Sequence, residues 1–221
     1  MALRLTQQQC SHAIGLAFWG IFKVDSYFIA LLQERKADGR LQHFFHFGIG
    51  TIMLELRPAS LSDLDLLSCW DEQPHVMASD PNDDWQWEVE LGRKPSWRAQ
   101  LIAEFDGRPI GFIQIIDPAL EETHYWGACG DGLRAIDIWL GDAADLGRGY
   151  GTAMMRLALA RCFSDAQVTA VLVDPLFGNA GARRFYERLG FGFVEQRRFG
   201  DDECAVYQLS RKTWEKLDTS P

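Results

Sequence analysis

The sequence predicts a mixed α/β (α+β) fold, with a mostly antiparallel central sheet flanked by helices. Three observations carry that reading. Apolar runs of strand length alternate with helical periodicity in the order βαββ–β–α–β–α–ββ. An Asp-Gly turn joins two apolar runs as a hairpin. The chain closes on two consecutive strand-like runs, FVEQRRF and ECAVYQLSR, which read as an antiparallel pair.

Residues 1–53 stand apart. They carry a charge balance of +2 against −11 for the remainder, and they end in the aromatic run HFFHFG. One or two helices are expected there, with Asp25 or Ser26 capping YFIALLQERK and a turn at KADGR. This N-terminal extension reads either as sequence upstream of the folded unit or as a helical arm. The expected domain is 54–221. It opens on the alternating strand MLELRPAS, after which Ser60 or Ser62 caps a helix with Leu61, Leu64, Leu66 and Leu67 on or near one face. Residues 74–96 read as a loop with a short helix. WRAQLIAEFDGRPIGFIQIID is the hairpin, turning on Asp106-Gly107-Arg108-Pro109, and 118–134 is a loop. LRAIDIWLG is a strand that enters DLGRGYGTAMMRLALARCFSD, a glycine-rich turn running into an apolar-faced helix. The buried strand VTAVLVDP and the helix GNAGARRFYERLGF, capped at Gly190, complete the order.

Composition narrows the function classes. The 221 residues are 47% apolar and 24% charged, the balance of a globular protein. A net charge of −9 argues against sequence-independent nucleic-acid binding, which rests on Lys and Arg neutralising phosphates. It suits a cationic small substrate. The most apolar stretch, Ala13 to Leu32, is broken by Lys23 and Asp25, so no membrane span is expected. The start fits a secretory signal poorly. Five scattered cysteines (Cys10, Cys69, Cys129, Cys162, Cys204) point to reduced thiols in a cytoplasm. No metal site is expected; His43 and His46 are too isolated to form one.

The chemistry gathers between Ile136 and Leu159. Glycines in Gly147-Arg148-Gly149-Tyr150-Gly151-Thr152 let backbone N–H groups approach an anion, and the helix that follows presents its positive end. Such a turn suits a pyrophosphate. It lacks the GK[ST] of a Walker loop and the spacing of a dinucleotide fingerprint. A second block reads Asp174-Pro175, Asn179, Ala182, Tyr186, Gly190, Phe191. Asn179 at a helix start can bond an amide-bearing ligand. Tyr186, two helical turns on, can protonate a leaving thiolate.

DLGRGYGT and NAGARRFYERLGF together resemble the acetyl-CoA motifs of the GNAT N-acyltransferase superfamily, over about residues 54–212. One position departs: Leu146 stands three residues before Gly149, where that superfamily usually has Gln or Arg. Within it, the chain is most similar to the aminoglycoside 6'-N-acetyltransferases. It shares the strand entry Arg134, Ile136, Asp137, the short LGRGYGT turn, the loop from Asp174 to Asn179 and the closing strand from Asp202 to Tyr207.

The resemblance implies acetyl-CoA as co-substrate, held by Ile138, Trp139 and Leu140, by Leu146 through Thr152, and by Asn179, Ala182 and Tyr186. It implies Asp137 as proton acceptor or amine anchor and Tyr186 as the acid on the thiol side. Asp137, Asp174 and Asp202 would contact the acceptor's ammonium groups, with Tyr125 and Trp126 on one wall of the cleft and Trp85 and Trp87 on the other. The implied reaction is direct attack of a primary amine on the thioester in a ternary complex, by a monomer or homodimer, with no metal. Two other readings stand beside it. One is a siderophore-type (hydroxy)lysine N-acyltransferase, expected to carry a histidine in the acceptor site, where His124 is the candidate. The other is a non-catalytic acyl-CoA-binding protein.

Overall fold

The computed structural model describes residues 33–37, 40–47, 50–82 and 84–218, with side chains from Met53 onward. Its strands form one sheet: β1 (Gln33–Ala37), β2 (Arg40–Phe47), β3 (Gly50–Pro58), β4 (Arg98–Phe105), β5 (Arg108–Ile116), β6 (Leu133–Leu140), β7 (Ala170–Val173), β8 (Gly192–Phe199) and β9 (Asp202–Ser210). The spatial order is β1-β2-β3-β4-β5-β6-β7-β9-β8. Every pairing is antiparallel except β6 with β7. The helices are α1 (Leu64–Asp71), α2 (Pro74–Met77), α3 (Trp87–Glu90), α4 (Tyr150–Phe163), α5 (Ala180–Arg188) and α6 (Arg211–Asp218). From residue 54 to β9 this is the expected order.

Residues 33–36, expected at the end of a helix, are instead the strand β1, with Glu34 opposite His43 and Ala37 opposite Arg40. Pairing along β2 overrides the local helix propensity of QERK. The rest of that expected helix lies outside the described residues. The composition boundary at Met53 falls inside β3, which pairs with β2 on one side and β4 on the other.

Local chemistry explains the other boundaries. The Asp63 carboxylate accepts from the Ser60 N–H at 2.9 Å, closing a capping box ahead of α1. Asp106 (φ 49°) and Gly107 (φ 75°) form a two-residue turn of the type that suits strand twist, so Arg108 already pairs with Phe105.

Strand alternation divides the core between the two faces of the sheet. On one, Leu101, Ala103, Ile113 and Ile136 pack under Met154, Met155, Leu157 and Ala158 of α4. On the other, Ile102 and Phe112 pack with Leu67 and Trp70 of α1, with Trp87 and Leu91. Among the described residues no helix is long and apolar enough to cross a membrane. Cys129, Cys162 and Cys204 are free thiols. Cys69 is disulfide-bonded, a departure from the reduced set expected, because spacing along a chain does not report proximity in the fold.

Candidate active site

The sheet opens at one place. β7 pairs with β6 only through Leu133–Ala170, Arg134–Val171 and Ala135–Leu172. From Ile136 onward β6 continues beside β5 alone, while β7 ends at Val173. The two strands therefore form a wedge. Asp137 sits on β6 and Asp174 just past the end of β7, each two residues beyond the last paired residue of its strand.

Three polar residues form a row across the sheet beside this wedge. Gln100 on β4 lies opposite Gln114 on β5, which lies opposite Asp137 on β6. The Gln100 amide donates to Gln114 Oε1 at 3.1 Å, and Gln114 Nε2 donates to Asp137 Oδ2 at 3.0 Å. The row fixes the carboxylate's orientation. Its neighbour on the same face is apolar and aromatic: Ile102, Phe112 and Trp139 stand opposite one another. Trp139 packs on Phe112 (4.7 Å) and Trp85 (5.0 Å).

Tyr186, on α5, is buried. Burial holds its phenol above the ordinary tyrosine range, and the charges of Asp137 and Asp174 push the same way. It therefore keeps its proton at neutral pH and faces the two acids as a donor. Burial likewise raises Asp174 to about 6, against the Tyr125 hydroxyl, which donates to Asp174 Oδ2 at 2.7 Å. Tyr125 is stacked on Phe199 at 4.4 Å, so this hydroxyl is held in place.

The wedge opens into a cleft of about 310 Å³. Its lining includes Trp85, Gln114, Tyr125, Trp126, Asp137 and Asp174, together with the acids Asp80, Glu90, Glu121 and Glu122 and the bases Arg93 and Arg98. Both arginines are paired with acids of the cleft. Arg98 bonds the Glu90 carboxylate, and its Nη2 donates to the Glu90 carbonyl at 3.2 Å. Arg93 bridges Glu90 (3.0 Å) and Glu122 (2.6 Å). Desolvation works against the Glu121 carboxylate. The Thr123 and Tyr125 N–H groups, which donate at 2.6 and 2.9 Å, nevertheless hold it below its ordinary range.

At the far end of β6 the glycine-rich turn leads into α4. Gly147 (φ 72°) and Gly149 (φ 83°) adopt the left-handed backbone that favours glycine, and both face open space where a Cβ would stand. No side chain caps α4, so the N–H groups of Tyr150, Gly151 and Thr152 are left for an anion. Asp145 anchors the base of the turn, accepting from both guanidinium nitrogens of Arg108 on β5 at 2.7 and 2.9 Å. The turn and helix start suit the pyrophosphate of coenzyme A. The unpaired edge of β6 over Ile138–Leu140 leads from there to Asp137.

Several expected residues are committed elsewhere. Asn179 caps α5, its side-chain oxygen accepting from the Ala182 N–H at 3.0 Å, which leaves only its amide nitrogen for a ligand. The Tyr150 ring packs on Phe105 at 4.8 Å, so it offers the turn its backbone. Leu146 and Arg148 are exposed on the turn. Trp87 is core, stacked beneath Trp85 at 5.1 Å, with its indole N–H on Asp71; of this pair Trp85 lines the cleft. Asp202 stands outside the cleft lining. It accepts from Asn82 at 2.7 Å, two residues from the cleft-lining Asp80. His124 is exposed, with φ 54°, and does not line the cleft. The residues that sequence reasoning passed over are Gln100, Gln114, Asp80, Glu121, Glu122, Arg93 and Arg98. The two glutamines had a signal, each being a lone polar residue inside an apolar strand.

Comparisons with known proteins agree with this geometry. The aminoglycoside N(6')-acetyltransferase type 1 of Klebsiella pneumoniae is 32% identical over 152 residues, covering 62% of this chain and 72% of that protein. The lysine N-acyltransferase MbtK of Mycobacterium tuberculosis is 24% identical over 164 residues, covering 72% and 78%. Aminoglycoside acetyltransferase AAC(6')-Ib, solved in complex with coenzyme A and kanamycin, superposes with a TM-score of 0.69 at 25% identity, over 75% of this chain and 99% of that one. The family described as "Acetyltransferase (GNAT) domain" matches residues 60–199, from the capping box of α1 to the end of β8. With the wedge, the uncapped glycine-rich helix start and the polar row all inside that span, the chain belongs to the GNAT acetyltransferase family.

Proposed function

We propose that the protein transfers the acetyl group of acetyl-CoA to a primary amine of a polycationic small molecule, foremost the 6'-amine of an aminoglycoside. The observation that carries the acceptor class is the charge of the cleft. Both of its arginines are neutralised by acids of the same cleft, which leaves a surplus of carboxylates around Asp137 and no unpaired cation for an acceptor's carboxylate. The catalytic unit in this reading is residues 54–221, with residues 1–53 as an extension.

The roles follow from the geometry. The α4 N-terminus and the turn from Leu146 to Thr152 hold the pyrophosphate, and β6 beyond Ala135 receives the arm that carries the thioester. Asp174, with Asp80 and Glu121, balances ammonium groups, while Tyr125, Trp126 and Trp85 give the acceptor's ring faces a surface. Asp202, tied to Asn82 beside Asp80, adds negative charge near that end. Asp137, oriented by Gln114, takes a proton from the reacting ammonium. The freed amine attacks the thioester carbonyl, the C–N bond forms and the C–S bond breaks. Tyr186 supplies the proton that the departing thiolate gains. Holding both reactants in one cleft supplies much of the rate. The lysine-acylating reading is less well supported, because His124 lies outside the cleft lining.

A thiol-release assay with acetyl-CoA tests the proposal on kanamycin- and neomycin-type aminoglycosides, spermidine, hydroxylysine-type amines and peptide N-termini. Turnover concentrated on the aminoglycosides is expected. Turnover on the lysine-like amines alone would replace this reading with the siderophore-type one. Tight acetyl-CoA binding with no turnover on any amine would point to a non-catalytic binder.

A further inference from the structure

Arg93 is out of place in a cleft built for cations. It lies just past α3, is 41% exposed and lines the acceptor cleft. Its guanidinium spans Glu90 at 3.0 Å and Glu122 at 2.6 Å, and both acids line the same cleft. The second arginine behaves differently. The Arg98 side chain is only 8% exposed and is bound to both the carboxylate and the carbonyl of Glu90, so it is part of the wall. Glu90 therefore stays fixed whatever Arg93 does. Glu122 is 58% exposed, and Arg93 is the ion-pair partner the structure gives it among the described residues. Exposed pairs of this kind are weak and easily exchanged.

We propose that Arg93 is a built-in competitor for the acceptor: its guanidinium occupies the Glu90–Glu122 subsite that an acceptor ammonium takes when Arg93 swings out. The inference rests on the reading of this cleft as the amine site. Its consequence is that Arg93 sets the acceptor's KM and the number of cationic groups an acceptor needs. An acceptor with one or two ammonium groups leaves Arg93 in place. One with more displaces it and gains Glu122.

The test is Arg93→Gln, with Arg93→Lys as a milder variant should the first lower the melting temperature. Direct calorimetric binding of kanamycin and spermidine is measured together with steady-state KM and kcat, at low and high salt. The expected result for Arg93→Gln is a two- to five-fold fall in Kd and KM for the acceptor with more ammonium groups, scaled to a single exposed ion pair. The KM for acetyl-CoA should stay unmoved, and the gain should shrink at high salt. Glu122→Gln should weaken acceptor binding more in the Arg93→Gln background than in the parent, since only there is Glu122 already released. A rise in acceptor KM on Arg93→Gln, matched by Glu122→Gln alone, would make Arg93 a strut for the 118–132 loop and overturn the proposal. Absence of amine binding by the parent protein and Arg93→Gln alike would instead overturn the reading of the cleft, and the inference with it.

Discussion

Asp137→Asn separates the base from its scaffold. The carboxylate is held by one donated hydrogen bond, from Gln114 Nε2 at 3.0 Å, and Gln114 is in turn fixed by Gln100 at 3.1 Å. An asparagine keeps an oxygen that can accept from Gln114, so the row across β4, β5 and β6 survives. A shift in melting temperature of no more than a few degrees is expected. With its oxygen on Gln114, the new amide turns its NH₂ toward the acceptor, donor against donor, and it cannot take a proton. Loss of a positioned general base costs about 10²- to 10⁴-fold in kcat, or about 3–5 kcal/mol at the barrier. Acetyl-CoA binding, carried by the turn and the α4 N-terminus, should not change. The assay is kcat and both KM values by thiol release, with a thermal melt on the same preparation. A kcat within about threefold of the parent at an unchanged melting temperature would refute the assignment, leaving Asp174 as the remaining acid of the wedge.

Tyr186→Phe removes a proton donor that burial keeps protonated, so kcat should fall by about 10²-fold or more with acetyl-CoA affinity retained; equal loss of both would make the tyrosine structural. Asp174 sits at about 6, above its ordinary 3.8, so the acceptor's KM should rise as pH falls through about 6 and the carboxylate is neutralised. Tyr125→Phe removes the hydroxyl that lowers this value, and the midpoint should move upward in a pH profile of KM. The raised value also means that ionising Asp174 costs stability. That cost is absent below about pH 4 and complete above about 6, so Asp174→Asn should raise the melting temperature more at pH 8 than at pH 5. Gly111→Ala would set a Cβ 2.4 Å from the Trp139 carbonyl and 2.7 Å from Met154 Cε, forcing β5 from β6; a loss of at least 1–3 kcal/mol, about the cost of overpacking, is expected by chemical denaturation.

The parts of the site written in contiguous residues were legible. Gly147 and Gly149 announce a left-handed turn because other residues pay for that backbone, and the helix after them follows from its apolar spacing. Asp137 stands out because an acid in an apolar strand needs a reason. Asn179 was legible as a helix-start residue, yet its commitment to capping was hidden, since ligand and cap ask for the same amide. α6 went unread because its case rests on tertiary packing: Trp214 stacks on Phe163 of α4 at 5.9 Å, a contact no local pattern reports. The QERK strand failed for the same reason in reverse, a partner strand outvoting local propensity.

What the sequence concealed most fully was the sign of the cleft. Read along the chain, Arg93 and Arg98 look like cations available to an anionic group. Folded, Arg98 is spent on Glu90, eight residues upstream, and Arg93 on Glu122, 29 residues downstream. The second of these pairs joins the end of α3 to the loop before β6, a proximity created by the sheet. The acceptor's charge therefore depends on which acids remain after such pairs form, and a count of acids along the sequence overstates them. The same subtraction explains how one fold can serve amines of different charge number. A single exposed arginine, added or removed at this edge, changes the surplus by one while Asp137, Gln114 and Tyr186 stay where the strands and α5 put them.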